Sequence, residues 1–336
     1  MRRIKIGVIG VGEIGKIHSN NIIQYVPELE LIAITDRLPG LAKSYAKRLG
    51  ISKAFENYQD LLQDKSIEAV LISTTPDSHA QIIKEAAAAG KHIFCEKPIG
   101  IDLNEVNNAL KIVEEKGAKL QIGFNRRFDP HFQRLRAFIA EGKIGSAEFL
   151  HITSRDPEPP GLEYFKVSGG IFMDMTIHDF DIARYIIGGE VEEIYTAGSA
   201  LIEPKIGELG DVDTVAFTLK FKNGVIGVIE NSCRAVFGYD QRVEVLGSQG
   251  MACVLNPSSS NVVVANQQGF HAPPLFHFFT DRYRESYIFE LKAFADSLLL
   301  DKETAVTGQD GLIAVKMAVA AKMSLESKIP VNPLRL

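Results

Sequence analysis

Apolar residues in the first third of the chain fall into short unbroken runs, each followed by a stretch at helical spacing. Residues 4–9 form the first run, broken only by Lys5 and Gly7, as suits a strand buried on both faces. Further strands are predicted at 29–35, 68–72, 92–95 and 119–124, and helices at 13–25, 41–49, 57–63, 78–89 and 103–116. Ser78 is the expected N-cap of its helix, and Gly50 and Gly90 are helix stops. Strands alternating with helices imply a parallel, doubly wound sheet. In such a sheet ligands bind at the loops that leave the carboxyl ends of the strands. Here those loops are 10–15, 36–40, 73–79, 96–98 and 125–127, rich in Gly, Ser, Thr, His and charged residues.

The alternation stops near residues 124–127, which places a domain boundary there. Beyond it, strands are predicted at 147–154, 192–199, 214–221, 225–231 and 241–246, with Asn223-Gly224 as a hairpin turn. Helices are predicted through 182–187, 281–300 and 311–327. The Pro-dense segments 157–160 and 273–274 read as rigid loops, and 258–260 and 266–269 as turns.

Composition narrows the functional classes. The 336 residues carry 37 Lys and Arg against 42 Asp and Glu, a net charge of −5. That balance provides no global attraction to nucleic acid or to an anionic membrane surface, so neither is an expected partner. No uncharged apolar stretch approaches the roughly 20 residues of a membrane span, and the first residues lack signal-peptide features. Cys95, Cys233 and Cys253 show neither a disulfide framework nor metal-ligand spacing, so a reducing, cytoplasmic setting is expected.

Two motifs carry candidate chemistry. Gly10-Val11-Gly12-Glu13-Ile14-Gly15 follows a strand, opens a helix and precedes an acid, Asp36, 21 positions after Gly15. This is the context of a dinucleotide site. Gly10 is expected to make the tight turn, Gly12 to admit pyrophosphate to the backbone and Gly15 to pack helix on strand. The helix N-terminus, at Glu13 and Ile14, would receive the pyrophosphate. Asp36 would bind the adenosine ribose and disfavour a 2′-phosphate, which favours NAD; the neighbouring Arg37 leaves NADP open. Thr74, Thr75, Pro76, His79, Glu96 and Lys97, in loops at the same edge, complete the expected cofactor contacts. Lys97, in Cys95-Glu96-Lys97-Pro98, is either a surface lysine or a group that binds a substrate oxygen or shares in proton transfer. Pro98 fixes its turn, with the Lys97–Pro98 bond either cis or trans.

The second motif is Met173-Asp174-Met175-Thr176-Ile177-His178-Asp179-Phe180-Asp181, after Gly169-Gly170. Asp174 and His178 are four apart and share a helix face. The carboxylate can then orient the imidazole as a general base. Asp181 falls on a neighbouring face. The alternative is a capped helix start at Asp174 or Thr176. No metal is expected, because no further His or Cys lies at ligand spacing.

Together these residues resemble the glucose–fructose oxidoreductase / inositol dehydrogenase (GFO/IDH/MocA) family over essentially the whole chain, through GVIGVGEIG, CEKPIG and MDMTIHDFDIARY. The stretches GFNRRFD, ITSRDPEPP and VSGGIFMDMTIHDFD are most similar to bacterial inositol 2-dehydrogenases. The resemblance implies an α/β fold: a Rossmann dinucleotide-binding domain over 1–125 and a C-terminal α+β domain over 126–336, with a large, mostly antiparallel open sheet that supports a homotetramer. It implies Lys97, Asp174 and His178 as the catalytic group. Hydride would pass from a cyclitol ring carbon to nicotinamide C4. His178 would take the hydroxyl proton, Asp174 would orient His178, and Lys97 would position the hydroxyl and contact the cofactor. Arg126 (with Arg127 competing), Asp156, Tyr239 and Tyr283 fall where family members line the substrate pocket. The implied reaction is NAD-dependent oxidation of myo-inositol to an inosose. Near alternatives are scyllo-inositol, another cyclitol or an aldose; more distant ones are an NAD-using glycosidase and a non-enzymatic NAD-sensing regulator. Retention of Lys97, Asp174 and His178 argues against the regulator. The chain has no Trp, so a polyol must be held mainly by polar and charged groups rather than by stacking on an indole.

Overall fold

A computed structural model describes residues 2–336. The chain divides into two compact units: one runs to Phe128 and takes back Glu285–Val315, the other comprises Asp129–Arg284 and Lys316–Leu336.

The first unit holds β1 (Ile4–Ile9), β2 (Leu29–Thr35), β3 (Lys53–Phe55), β4 (Ala69–Ile72), β5 (His92–Glu96) and β6 (Leu120–Gly123), all parallel, in the order β3-β2-β1-β4-β5-β6. Strand order reverses between β1 and β4, which opens a crevice at the carboxyl edge there. β3 escapes the hydrophobic pattern because it is a three-residue edge strand and nowhere fully buried. One helix start is corrected: the fourth helix spans Pro76–Ala88, with Thr75 as N-cap. Proline suits the first helical position, since its N–H is missing where no intrahelical acceptor exists. Ser78 lies inside the first turn, and its hydroxyl donates to the Thr75 carbonyl at 2.8 Å.

A single cut at 125/126 does not describe these units. The helix Arg284–Leu299 buries Leu291, Phe294 and Ala295 in one core cluster with Ile4, Ile6 and Phe94. The following segment runs along β6: the Ile122 N–H donates to the Val306 carbonyl at 3.0 Å, and the Thr304 hydroxyl donates to the Leu120 carbonyl at 2.8 Å. The returning chain thus satisfies backbone groups that an edge strand would leave open.

The second unit holds β7 (Ala147–Arg155), β8 (Val191–Ser199), β9 (Thr214–Phe221), β10 (Ile226–Ser232), β11 (Asp240–Gly247) and β12 (Gly250–Val254), in the order β12-β11-β7-β10-β9-β8. Only β7 and β10 pair in parallel. Alternation is clean in β9, where Val215, Phe217, Leu219 and Phe221 are buried and the residues between them are not. A small exposed hairpin follows, Val264–Asn266 with Gly269–His271. The helix Pro130–Ala140 was not anticipated, yet its start is well formed: Asp129 caps it by accepting from the His131 and Phe132 N–H groups, and Pro130 is its first residue. The helix expected over 281–300 is divided into Phe279–Arg282 and Arg284–Leu299. Among the described residues no helix is long and apolar enough to cross a membrane.

Candidate active site

β1 runs into Gly10, whose φ of +94° suits glycine. A Cβ on Gly10 would lie 2.7 Å from the Ser73 carbonyl oxygen, and one on Gly15 would overlap the Gly10 carbonyl oxygen. At Gly12, by contrast, a Cβ would meet nothing within 4 Å. The loop is packed at its two ends and open in the middle, where a ligand needs access to the backbone. Gly12 caps the helix Glu13–Tyr25 without a side-chain bond, so the N–H groups of Glu13 and Ile14 are available to an anion. Asp36, at the end of β2, accepts from the Val11 N–H at 2.8 Å and the Leu38 N–H at 2.9 Å, and Arg37 beside it is exposed. Glycine cradle, open helix end and ribose acid therefore fit a dinucleotide.

The helix Pro76–Ala88 also begins at this edge, with Thr74, Thr75 and Pro76 half-buried and no side-chain cap from Thr75. His79 has a different place from the one expected. It is buried, with Nδ1 at 2.7 Å from the Pro98 carbonyl oxygen and Nε2 at 3.1 Å from that of Thr74. Burial holds its pKa below the usual histidine value. It ties the loop after β4 to the turn after β5 instead of offering a ring nitrogen to the cofactor. The Glu96 carboxylate likewise turns inward, to the buried His18 at 2.5 Å and to the Lys97 N–H at 3.3 Å. Lys97 is the one residue of 93–100 that is not buried, and its bond to Pro98 is cis.

In the second unit, Gly169 and Gly170 have φ of +85° and +72°, and a Cβ on Gly170 would overlap the Asp211 carboxylate. One π-helical turn over Phe172–Thr176 then leads into the helix Ile177–Ile187. Such turns recur at functional sites. Asp174 lies in the π turn and His178 in the α-helix, so their shared face spans a change of helix type. Within 171–183 these two are the only residues that are not buried. Two residues that sequence reasoning missed hold them. The Tyr164 hydroxyl donates to Asp174 Oδ1 at 3.1 Å. Asn231, at the end of β10, accepts from the Thr176 hydroxyl at 2.6 Å and donates to the buried Asp179 at 2.9 Å, pinning the helix start to the sheet. No periodicity marks either residue. Asp181, which shares the motif, is buried.

Asp156 follows β7, and its N–H donates to the Ser232 carbonyl at 3.0 Å. Asp156 and Asp174 both act on the Cys233 thiol, which burial first, and then the carboxylates around it, push up. Tyr239 and Tyr283 do meet, edge to face with ring centroids 6.0 Å apart. Tyr283 is 2% exposed, packs on Phe132, and lies beneath the Arg282 guanidinium, which pairs with Asp129 at 2.5 Å. Tyr283 and Tyr239 thus belong to one buried aromatic cluster. Of the two arginines after β6, Arg127 is committed to Asp310 at 3.0 Å. Burial works against the Asp310 charge, but Arg127 and the Thr307 donors outweigh it and hold the carboxyl below its ordinary range.

The parallel sheet with its glycine cradle at the strand-order reversal defines a dinucleotide-binding protein. Comparison with known proteins places it further. The oxidoreductase family model for an NAD-binding Rossmann fold matches residues 4–124, and the GFO/IDH/MocA C-terminal domain model matches 132–253. The chain is 44% identical to the myo-inositol 2-dehydrogenase of Thermotoga maritima, covering 97% of each chain. It is 42% identical to the inositol 2-dehydrogenase of Rhizobium meliloti, covering 97% of this chain and 98% of that one. The crystal structure of a scyllo-inositol dehydrogenase from Lactobacillus casei, with bound NAD(H) and scyllo-inositol, superposes with a TM-score of 0.93 at 30% identity, over 99% of this chain and 100% of that one. The chain belongs to the GFO/IDH/MocA oxidoreductase family. It is an NAD-dependent dehydrogenase.

Proposed function

We propose that the protein is an inositol 2-dehydrogenase that oxidises myo-inositol to an inosose. NAD, when bound, supplies the hydride acceptor at nicotinamide C4. His178 takes the proton of the hydroxyl being oxidised, Asp174 orients the imidazole and stabilises it once charged, and Lys97 holds the hydroxyl oxygen. The observation that carries this reading is selective exposure. Lys97 within 93–100, and Asp174 with His178 within 171–183, are the only side chains left accessible in otherwise buried segments. Packing alone does not leave the polar residues of a buried run open in this way. Arg126, Asp156 and Tyr239 supply further hydrogen bonds to the polyol. Asp36 sets the preference for NAD over NADP.

A homotetramer is part of the same reading. Met251, Leu246, Phe149 and Ile226 are exposed and stand in direct register across β12, β11, β7 and β10, a continuous apolar row on one face of the second sheet. Such a row calls for cover by a protein surface. Leu246→Asp is expected to lower the mass found by light scattering, and a monomeric wild type contradicts this assignment. The three free cysteines, two of them buried thiols, support a cytoplasmic setting.

The direct test is a panel of inositols and aldoses with NAD and NADP in parallel, following reduced cofactor. The expected result is turnover on myo-inositol with NAD; no turnover on any cyclitol contradicts the proposal.

A further inference from the structure

A buried polar cluster lies behind Lys97, and the proposed chemistry does not use it. His18, on the first helix, is 0% exposed; its Nε2 is 2.5 Å from Glu96 Oε1 and 3.9 Å from Glu290 Oε1. Phe94 and Tyr287 meet its ring edge-on, with centroids at 5.2 and 5.7 Å. The second Glu96 oxygen accepts the Lys97 N–H. On its other side the Glu96 carboxyl is backed by Gly123 of β6, where a Cβ would stand 3.0 Å from the carboxyl carbon. Glu290 is 0% exposed, and neither of its carboxyl oxygens has a hydrogen-bond partner. Burial first, then the Glu96 charge, push its acid well above the ordinary carboxylate range. At 2.5 Å against 3.9 Å, Glu96 rather than Glu290 is the carboxylate within hydrogen-bond reach of the imidazole.

We propose that His18 is a positioning residue for hydride transfer: by holding the Glu96 carboxylate from inside the fold, it fixes the turn that carries Lys97. The inference rests on Lys97 acting at the reacting hydroxyl. The same three side chains have ligand atoms within 4.8 Å of one another and could be taken for a cation cradle. A cation bonded to both His18 and Glu96 at about 2.1 Å would spread their ligand atoms to about 3 Å. The observed 2.5 Å is instead the separation of a charge-assisted hydrogen bond.

Two substitutions separate positioning from packing. His18→Leu fills the apolar pocket but donates nothing, whereas His18→Gln keeps a donor for Glu96. In folded protein, Leu is expected to lower kcat at least about tenfold with NAD affinity within about threefold, and Gln to restore most of the loss. A packing role predicts the reverse order, since Leu suits the pocket better. A readout independent of turnover is the reductive methylation of Lys97 relative to the other lysines, followed by mass spectrometry. It is expected to change at least about threefold in His18→Leu and little in His18→Gln, as the turn loosens only when its donor is lost. An unchanged rate in His18→Leu, or kcat in His18→Leu equal to or above that in His18→Gln, overturns the inference. So does a stoichiometric divalent cation in the purified protein. Lys97→Ala run in parallel keeps the two readings apart. Wild-type turnover there overturns the role of Lys97 and this inference with it. Loss there beside full turnover in His18→Leu overturns this inference alone.

Discussion

The two units build their ligand-facing ends from different materials. In the parallel sheet the cradle is backbone: Gly10 and Gly15, which leave no room for a Cβ, two helix starts without side-chain caps, and an acid locked by backbone N–H groups. In the mixed sheet the proposed working groups, Asp174 and His178, are side chains around one helix start, where Tyr164 donates to Asp174 and Asn231 pins Thr176 and Asp179. Backbone recognition suits an invariant group such as a pyrophosphate. Side-chain recognition suits a substrate whose hydroxyl orientations must be distinguished. Damage to the glycine cradle should therefore appear in cofactor binding, and damage to the side chains of the second end, or to Lys97, in turnover.

That contrast can be broken by substitution. The largest effect is expected from His178→Ala: kcat should fall by about 10²–10⁴, the range for losing a general base, with NAD affinity within about threefold by titration calorimetry. Loss of NAD affinity instead would erase the division of labour. Gly15→Ala is the mirror case, because its Cβ overlaps the Gly10 carbonyl oxygen. NAD binding should weaken at least about tenfold, about 1.4 kcal/mol. Asn231→Leu withdraws a donor from buried Asp179 and an acceptor from Thr176. It should lower unfolding stability by about 1–3 kcal/mol and reduce kcat more than NAD affinity.

The smallest effect is in pH dependence, where the units differ in sign. Burial works against the charge of Asp213, but its carboxylate accepts the Glu203, Leu201 and Ile202 N–H groups and the Thr214 hydroxyl, and these hold its pKa below the ordinary value. Its stabilisation is present above the unfolded value, about 4, and is lost as pH falls through the lower folded one. Asp213→Asn should flatten that acid limb in urea unfolding. Glu290 is the opposite case. Faced by His18 and Glu96 and raised by burial, it favours the fold most at low pH and loses that contribution as pH rises from the unfolded value toward the folded one. Glu290→Gln should equal the wild type near pH 4 and exceed it in stability near pH 7; a matched pH profile would contradict a proton on Glu290.

Legibility in the sequence followed the same division. The glycine loop and Asp36 could be read because backbone geometry dictates residue type and spacing there. The four-residue interval of Asp174 and His178 could be read because it survives the change from π to α turn. Side-chain direction at strand ends leaves no such trace. His79 and Glu96 were assigned to the cofactor edge by position, yet His79 turns to carbonyl oxygens and Glu96 to His18. Nor does helical periodicity say which sheet a helix covers, so the return of Glu285–Val315 to the first unit could not be read.

The central claim is direct hydride transfer from a cyclitol carbon to NAD, and isotope transfer tests it most directly. With myo-inositol deuterated at carbon 2 and unlabelled NAD in ordinary water, deuterium should appear at C4 of the reduced nicotinamide, detected by mass spectrometry. Reduced cofactor without deuterium, or none formed at all, would contradict the account.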